Sequence, residues 1–276
     1  MYIASNVTAM QTASDLNLTT NSLQNALQQL TTGLRINSAA NDAAGLAITS
    51  MMGNVIDGMN QANINVQNGI NMIQTADSAA GQINSILGRM QTLANEAANT
   101  TLTTADRVDI QQEVTQLTSD INNIASSTNF NGVYLLTGKY SAGATGAGLQ
   151  IQYGAYAANT YKVAVSGLTA GALGVNALSV TQVAGANTAI TTIQSAVSSL
   201  ASMRANLGAY QNGLQYLSNN LQTSLQNLTA SQASIQDTDV ATEMAKFTSL
   251  QILQQSGTAM LAQANALPQT ALKLLS

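Results

Sequence analysis

The stretch that decides the fold runs from Met59 to Ala94 and reads MNQANINVQNGINMIQTADSAAGQINSILGRMQTLA. Its apolar residues recur every three or four positions with one gap, as they do along one face of an α-helix. At a rise of 1.5 Å per residue, this pattern predicts a helix on the order of 50–60 Å long. Several small residues would let a neighbouring helix approach closely. The positions of the pattern are Met59, Val66, Ile70, Ile73, Ala76, Ala80, Ile83, Leu87, Met90 and Ala94.

The same periodicity appears on both sides of this stretch and predicts four more helices. In the first segment Gly33 lies inside the pattern, and in the last segment Pro268 follows it. The periodic positions are Leu16, Leu23, Leu27, Leu30 and Leu34; Ile110, Val114, Leu117, Ile121 and Ile124; Ile190, Ile193, Val197, Leu200, Leu207, Leu214, Leu217, Leu221, Leu225 and Leu228; and Val240, Met244, Phe247, Leu250, Leu253, Met260, Ala264 and Leu267.

The middle of the chain, from Phe130 to about Ala189, is rich in Gly, Ala and Thr instead. Alternating apolar and polar residues in 149–153 and 161–165 predict two short strands, with turns at Gly143, Gly146 and Gly148. The predicted fold class is therefore mainly α. Long helices form a coiled-coil-like bundle, and a small β-hairpin region lies at the centre of the chain, at about residues 140–189. The predicted order is helix–helix–helix–small β–helix–helix.

The charge content is low, at 7% of the residues against roughly 25% in an ordinary soluble domain. Such a surface repels copies of itself weakly, so it favours self-association; adaptation to salt or to a particular host is the alternative. Residues 1–34 contain one charge, Asp15. Because an isolated helix of this kind is marginal in water, we expect the terminal helices to be disordered in the monomer and to order on packing.

Composition also argues against several functions. The chain has no Cys and no His, which removes the commonest metal ligands and the commonest general base. Residues 140–190 contain no Asp or Glu either, so we predict no enzyme, no metal and no cofactor. The formal net charge is −4 and no Lys/Arg cluster exists, so nucleic acid is not expected. No run reaches the ~18 apolar residues of a membrane span, and residues 1–20 do not have the pattern of a cleavable signal peptide.

Four ordered motifs carry a resemblance to a known family. Arg35-Ile36-Asn37-Ser38-Ala39 followed by Asp42-Ala43-Ala44-Gly45-Leu46-Ala47-Ile48 resembles the N-terminal signature of bacterial flagellins. Asn129-Phe130-Asn131-Gly132-Val133-Tyr134-Leu135-Leu136, Leu207-Gly208-Ala209-Tyr210-Gln211-Asn212 and residues 251–265 (QILQQSGTAMLAQAN) resemble three further segments of that family. Together the resemblance covers nearly the whole chain outside residues 140–190.

The resemblance implies a structural subunit that polymerises into the flagellar filament for motility. Residues 1–43 plus 236–276 would form a terminal coiled-coil domain in the filament core, and residues 44–235 a helical rod domain around it. The expected location is the extracellular filament, reached by secretion through the flagellar export apparatus. Besides other copies of the chain, the implied partners are an export chaperone and the cap and hook-junction proteins. A hook–filament junction-type protein is the alternative, although the ending from Ala264 to Gln269 with Leu272, Leu274 and Leu275 resembles flagellin.

The same resemblance suggests where subunits meet. It places Arg35 and Asp42 in polar contacts that fix the connection between the two shells; the alternative is a solvated pair at a helix turn. The terminal heptad positions are the other predicted subunit contacts. These are Leu16, Leu23, Leu27, Leu30 and Leu34 in the first helix, and Met244, Phe247, Leu253, Met260 and Leu267 in the last.

A second function suggested by the family is recognition by an innate immune receptor. Arg89, Leu93 and Glu113 fall at positions that match the receptor patch of flagellins. Gly88 and Thr92 depart from it, because receptor-active members carry larger polar or charged groups there. We therefore predict weak or absent recognition, and the alternative reading of Arg89 and Glu113 is a pair of exposed helix charges.

Overall fold

The computed structural model describes residues 6–141 and 148–275, with side chains up to residue 266. Within that part, the helices are α1 (Val7–Thr32), α2 (Ala43–Ala97), α3 (Thr104–Ser127), α4 (Val183–Gln236) and α5 (Val240–Leu275). Between α3 and α4 lie the strands β1 (Asn129–Phe130), β2 (Val133–Tyr134), β3 (Leu149–Gln152) and β4 (Thr160–Val163). The predicted fold class and the predicted order of elements are confirmed.

Contacts along the chain divide it into two compact units. The terminal unit comprises residues 1–55 and 226–276, and the central unit comprises residues 56–225. The terminal unit is larger than the predicted domain of residues 1–43 and 236–276, because it also takes in the first part of α2 and the last part of α4. The roles of these units in a filament remain predictions.

The central unit holds a continuous apolar core. Every periodic position of α2 from Val66 to Ala94 is buried, and Met59 is partly buried against the same core. Ile193, Leu200, Leu207, Leu214 and Leu221 of α4 are buried as well. These periodic positions of α2 and α4 therefore form the apolar core of the central unit. The largest fully buried side chains of the core are Ile73, Ile83, Leu87, Met90, Leu93, Ile121, Leu135, Leu136, Leu168, Ile193 and Leu200.

Two helices begin earlier than predicted. α2 has 55 residues and is therefore roughly 80 Å long at 1.5 Å per residue, against the predicted 50–60 Å. Its first turns contain Gly45 and Gly53, which lower helix propensity and hide the pattern. α4 begins at Val183, inside the region predicted to be β. Residues 183–189 (VAGANTA) share the Gly, Ala and Thr content of the predicted β region, and this composition hides the start of the helix.

The strands form two separate hairpins. β3 pairs with β4 in antiparallel register, with Leu149 opposite Val163 and Gln152 opposite Thr160, which confirms the two predicted strands. Gly148 has a φ of +79° and occupies a predicted turn, whereas Gly143 and Gly146 lie outside the described residues. The pair of β1 and β2 falls before the predicted β region and was missed.

The β3–β4 hairpin lies against α4 through aromatic contacts. The rings of Tyr161 and Tyr210 meet edge to face, with centroids 6.2 Å apart, a favourable arrangement for two aromatic rings. Gly213 leaves room for the Tyr161 side chain, because a Cβ at residue 213 would come within 2.5 Å of the tyrosine oxygen. Gly213 therefore sets how closely the hairpin packs against α4 at this point.

The start of α3 carries a reciprocal capping arrangement. Thr103 is the N-cap residue, and its hydroxyl accepts from the backbone N–H of Asp106. The Asp106 carboxylate in turn accepts from the Thr103 backbone N–H at 2.8 Å. These hydrogen bonds from Thr103 hold the pKa of Asp106 below its ordinary value of 3.8.

We expect Asp106→Ala to lower the thermal stability of the central unit at neutral pH, because the Thr103 N–H loses its partner. A carboxyl whose pKa is lowered by folding contributes stability above its unfolded value, and this contribution is lost as the pH falls through the folded value. The difference in melting temperature between the wild type and Asp106→Ala should therefore shrink as the pH falls below 3.8. Melting curves recorded at several pH values measure it. A difference that stays constant with pH would contradict the role of the charge.

Candidate assembly surface

The two terminal helices pack directly against each other. Their contact is made by small residues: Ala9 and Ala26 of α1 and Ala264 of α5 are buried. Gly257 of α5 lies beneath Leu16, whose Cδ1 would be 3.2 Å from a Cβ added there. The Asn6 amide donates to the Ala264 carbonyl at 2.8 Å. Small residues allow close approach of the helices, and close approach buries little of the larger side chains.

Large apolar side chains of this pair consequently face outward. Met10 is 70% exposed and Leu18 64% on α1, and Met260 is 66% exposed on α5. A two-helix pair can cover only one narrow stripe of each helix, so apolar residues elsewhere on its surface need another partner. The other large apolar residues exposed on the two helices are Val7, Leu27, Val240, Met244, Ile252 and Leu253.

Two adjoining grooves run along the α1–α5 pair. One has a volume of about 420 Å³ and the other about 270 Å³. Both are lined by Thr12 and Asp15 of α1 and by Met260 of α5. Leu253 and Ala264 lie at their sides. The grooves therefore place apolar surface next to Asp15, the one charge of residues 1–34.

The segments that follow α1 and α4 meet in a short backbone contact. The Arg35 N–H donates to the Gln236 carbonyl at 2.7 Å, and the Thr238 N–H donates to the Gly33 carbonyl at 3.0 Å. The Arg35 guanidinium adds a hydrogen bond of 2.6 Å to the carbonyl of Ile235, at the negative end of α4. Gly33 ends α1 with a φ of +71°, so this glycine terminates the helix rather than lying within it.

The predicted subunit contacts fall into three groups. Leu16, Leu23, Leu30, Leu34 and Phe247 are half-buried. The more exposed residues are Leu27, Met244, Leu253 and Met260, while the side chain of Leu267 lies outside the described residues. Their role between subunits stays a prediction.

Arg35 and Asp42 each make contacts within the chain. Arg35 bonds to Ile235 as described, and Asp42 lies directly before α2, where its carboxylate accepts from the Gly45 N–H at 2.8 Å. A Cβ on Gly45 would collide with that carboxylate. Asp42 therefore acts as a helix N-cap, and Gly45 leaves room for it. A contact of either residue with a second subunit remains a prediction.

The predicted receptor patch is only partly at the surface. Arg89 and Glu113 form an exposed bidentate pair, with N–O distances of 2.7 and 3.1 Å. Glu113 raises the pKa of Arg89, and Arg89 lowers the pKa of Glu113. Leu93, however, is 2% exposed and belongs to the core of the central unit. Its assignment to an accessible patch is wrong for this chain, because Leu93 follows the buried Met90 by three residues and shares its helix face.

Several surface residues escaped the sequence analysis. Met10, Leu18 and Ile252 are exposed and apolar but lie off the heptad positions chosen as subunit contacts. A signal existed, since several large apolar residues outside the heptad positions of helices with few charges indicate a further contact surface. Periodicity alone identifies the side that meets the nearest helix and gives no weight to the other sides.

Other classes of site find no support in the described residues. In that part of the chain, no group of three or more His, Cys, Asp or Glu side chains could hold a metal ion. Among the same residues, no helix is both long and apolar enough to cross a membrane. The exposed apolar surface of the α1–α5 pair is therefore the strongest candidate for a functional site.

Comparisons with known proteins identify the family of the chain. The family model of the bacterial flagellin N-terminal helical region matches residues 3–141, and that of the C-terminal helical region matches residues 190–275. The flagellar filament 33 kDa core protein of Treponema phagedenis is 40% identical over 286 residues. The flagellin of Bacillus subtilis is 38% identical over 303 residues. Both alignments cover all of this chain and all of the relative.

Among solved structures, one from Vibrio parahaemolyticus, described as a flagellar hook-associated protein, has a TM-score of 0.57. It is 14% identical and covers 71% of this chain and 100% of its own, so it shows the fold alone. The sequence relatives match over full length, and the two family models together match well over half of the residues. The chain belongs to the bacterial flagellin family.

Proposed function

We propose that this chain is a structural subunit that polymerises into the bacterial flagellar filament by burying the exposed apolar residues of α1 and α5 against neighbouring copies. One observation carries the proposal. Large apolar side chains such as Met10, Leu18 and Met260 are more than three-fifths exposed on helices almost without charge. Burying apolar surface contributes about 25 cal/mol per Å², and the low charge of residues 1–34 adds little repulsion between copies.

The filament reading is favoured over the junction-type alternative. Relatives described as flagellin or as flagellar filament core protein match the chain from end to end. The likeness to the hook-associated protein lies at 14% identity and carries fold only. A filament subunit is a component of the extracellular flagellum, which gives the chain its location, and the family is structural rather than enzymatic.

The same exposed apolar surface supports further partners of the chain. An export chaperone would cover the apolar residues of α5 before assembly, since Ile252, Leu253 and Met260 are exposed. Secretion through the flagellar export apparatus, and contacts with the cap and hook-junction proteins at the filament ends, complete the proposal. Recognition by an innate immune receptor is not part of it, because Leu93 is buried.

A triple variant tests the assembly surface directly. We expect Met10→Gln, Leu18→Gln and Met260→Gln combined to abolish growth from filament fragments, because glutamine keeps helix propensity while it removes the apolar surface. Monomer is mixed with short wild-type fragments and followed by light scattering and electron microscopy.

The matched control carries three equally drastic changes in the central unit: Ile64→Gln, Tyr156→Gln and Tyr216→Gln. These residues are 54%, 64% and 75% exposed, and the control should elongate the fragments. Growth of the terminal triple variant at the wild-type rate, or equal loss in both variants, would contradict the assignment of the subunit contact to α1 and α5.

A further inference from the structure

The chain contains three Asn-Gly pairs in very different surroundings. Asn68-Gly69 lies within α2 and Asn212-Gly213 lies within α4, whereas Asn131-Gly132 forms the two-residue turn between β1 and β2. An asparagine followed by glycine is the pair in which the next backbone nitrogen reaches the side-chain amide most easily, because glycine has no side chain to obstruct the attack. The three pairs therefore provide an internal comparison.

The turn leaves its reacting groups free. Asn131 has a φ of +49° and Gly132 a φ of +79°, as in a two-residue hairpin turn of the Asn-Gly type. Both residues are exposed, and a Cβ added to Gly132 would meet nothing within 4 Å. Within the described residues, neither the Asn131 side chain nor the Gly132 N–H takes part in a hydrogen bond.

The two helical pairs are held differently. The N–H groups of Gly69 and Gly213 belong to the helical hydrogen-bond ladder, where each N–H donates to the carbonyl four residues earlier. Gly69 is buried close to Ile151, and Gly213 lies against Tyr161. The backbone nitrogen cannot turn toward the asparagine side chain without breaking several helical hydrogen bonds.

We propose that Asn131 is a self-modification site, at which the folded chain converts this asparagine into aspartate and isoaspartate without an enzyme. The Gly132 nitrogen loses its proton and attacks Cγ of Asn131; the bond from Cγ to the amide nitrogen breaks, and ammonia leaves. The resulting five-membered imide is opened by water at either carbonyl. One water is consumed and one ammonia released for each new carboxylate, with no change in oxidation state.

The modification alters both the surface and the backbone. It adds one negative charge to a chain whose formal net charge is −4. In the isoaspartyl product, the main chain runs through the former side chain and gains one atom. The two-residue turn then no longer fits the register in which Phe130 faces Val133. Leu135 and Leu136, which follow β2 directly, are buried in the core, so the strain reaches a well-packed region.

The test compares the three asparagines within one molecule. Purified full-length chain is incubated at mildly alkaline pH, digested, and analysed by mass spectrometry for the amide-to-acid conversion at each site. Isoaspartate is counted separately by methyl transfer from a protein isoaspartyl methyltransferase. We expect conversion at Asn131 alone in the folded chain, and conversion at all three positions in urea, where the helices no longer protect Asn68 and Asn212.

The variant Asn131→Gly provides the control, because glycine accepts the positive φ of the turn and has no amide to lose. It should abolish isoaspartyl labelling of the folded chain and leave labelling in urea at the other two sites. An Asn131 that stays intact in the folded chain while it reacts in urea would overturn the proposal. Conversion at Asn68 or Asn212 as fast as at Asn131 in the folded chain would overturn it too. Neither readout depends on polymerisation.

Discussion

A chain that lacks residues 1–34 should fold in its central unit and fail to form filaments under any seeding condition. Removal of α1 takes away the packing partner of α5 together with the exposed residues Met10, Leu18 and Leu27. The core of the central unit begins at Ala62 and ends at Leu221, so none of its residues is lost. This separates assembly from folding in one experiment.

Two readouts are needed. Tyrosine fluorescence reports the central unit, because seven of the eight tyrosines lie between Tyr134 and Tyr216, and its unfolding transition should remain cooperative. Seeded polymerisation, followed by light scattering and electron microscopy, should show growth for the full-length chain and none for the truncated one. Removal of residues 240–276 takes away α5 instead of α1, and we expect it to abolish filament growth in the same way.

Filaments grown from the truncated chain would contradict the assembly role of α1. A different outcome would redirect the interpretation. If the full-length chain binds to the ends of the fragments and growth stops there, the junction-type alternative gains support, because a junction protein joins a filament end without extending it.

The core of the central unit was predictable because one physical rule governs it. A residue at every third or fourth position of a long helix faces the same neighbour, so Val66, Ile83 and Leu87 could be assigned to the interior from spacing alone. The same rule would have placed Leu93 there, three residues after Met90. The resemblance to a receptor patch instead predicted that Leu93 is exposed. The structure buries Leu93, as the spacing indicates.

The β1–β2 hairpin also had a local signal, since Asn131-Gly132 is the sequence that a two-residue turn with two positive φ values prefers. It was missed because its strands have only two residues each, too short for alternation to appear. The terminal helices were harder. Their leucines at heptad positions predict burial, yet the close approach through Ala9, Ala26 and Ala264 buries the small residues more completely than the large ones.

Arg107 is the residue for which sequence reasoning had no account. It lies three residues before Ile110 and seven before Val114, on the buried face of α3, and is 8% exposed. A charged residue at a core position conflicts with the apolar pattern. Only the structure shows its partners. The Arg107 Nε donates to the Ala97 carbonyl and one Nη to the Asn99 carbonyl, both at 2.9 Å.

These carbonyls explain why the position requires arginine. α2 ends at Ala97, where the last carbonyls of a helix have no partner within the helix and carry its partial negative charge. A neutral core residue would leave the Ala97 carbonyl, on a residue that is fully buried, without a donor. The guanidinium therefore satisfies the end of the longest helix and joins it to α3.

Arg107→Ala should lower the free energy of unfolding of the central unit by about 3 kcal/mol, because hydrogen bonds to a charged donor are lost and buried carbonyls are left unsatisfied. Urea unfolding of the monomer, followed by tyrosine fluorescence, measures this loss. Arg107→Lys keeps the charge with fewer fixed donors and should recover part of it.

Arg89→Ala is the control that separates a buried role from a surface one. Its ion pair with Glu113 is exposed on both sides, and exposed pairs contribute little to stability, so its unfolding curve should nearly coincide with that of the wild type. If Arg107→Ala and Arg89→Ala shift the urea midpoint equally, the capping of α2 contributes no more than an exposed pair. The two carbonyls would then be satisfied by water, and the arginine would be explained by the packing of its aliphatic stem alone.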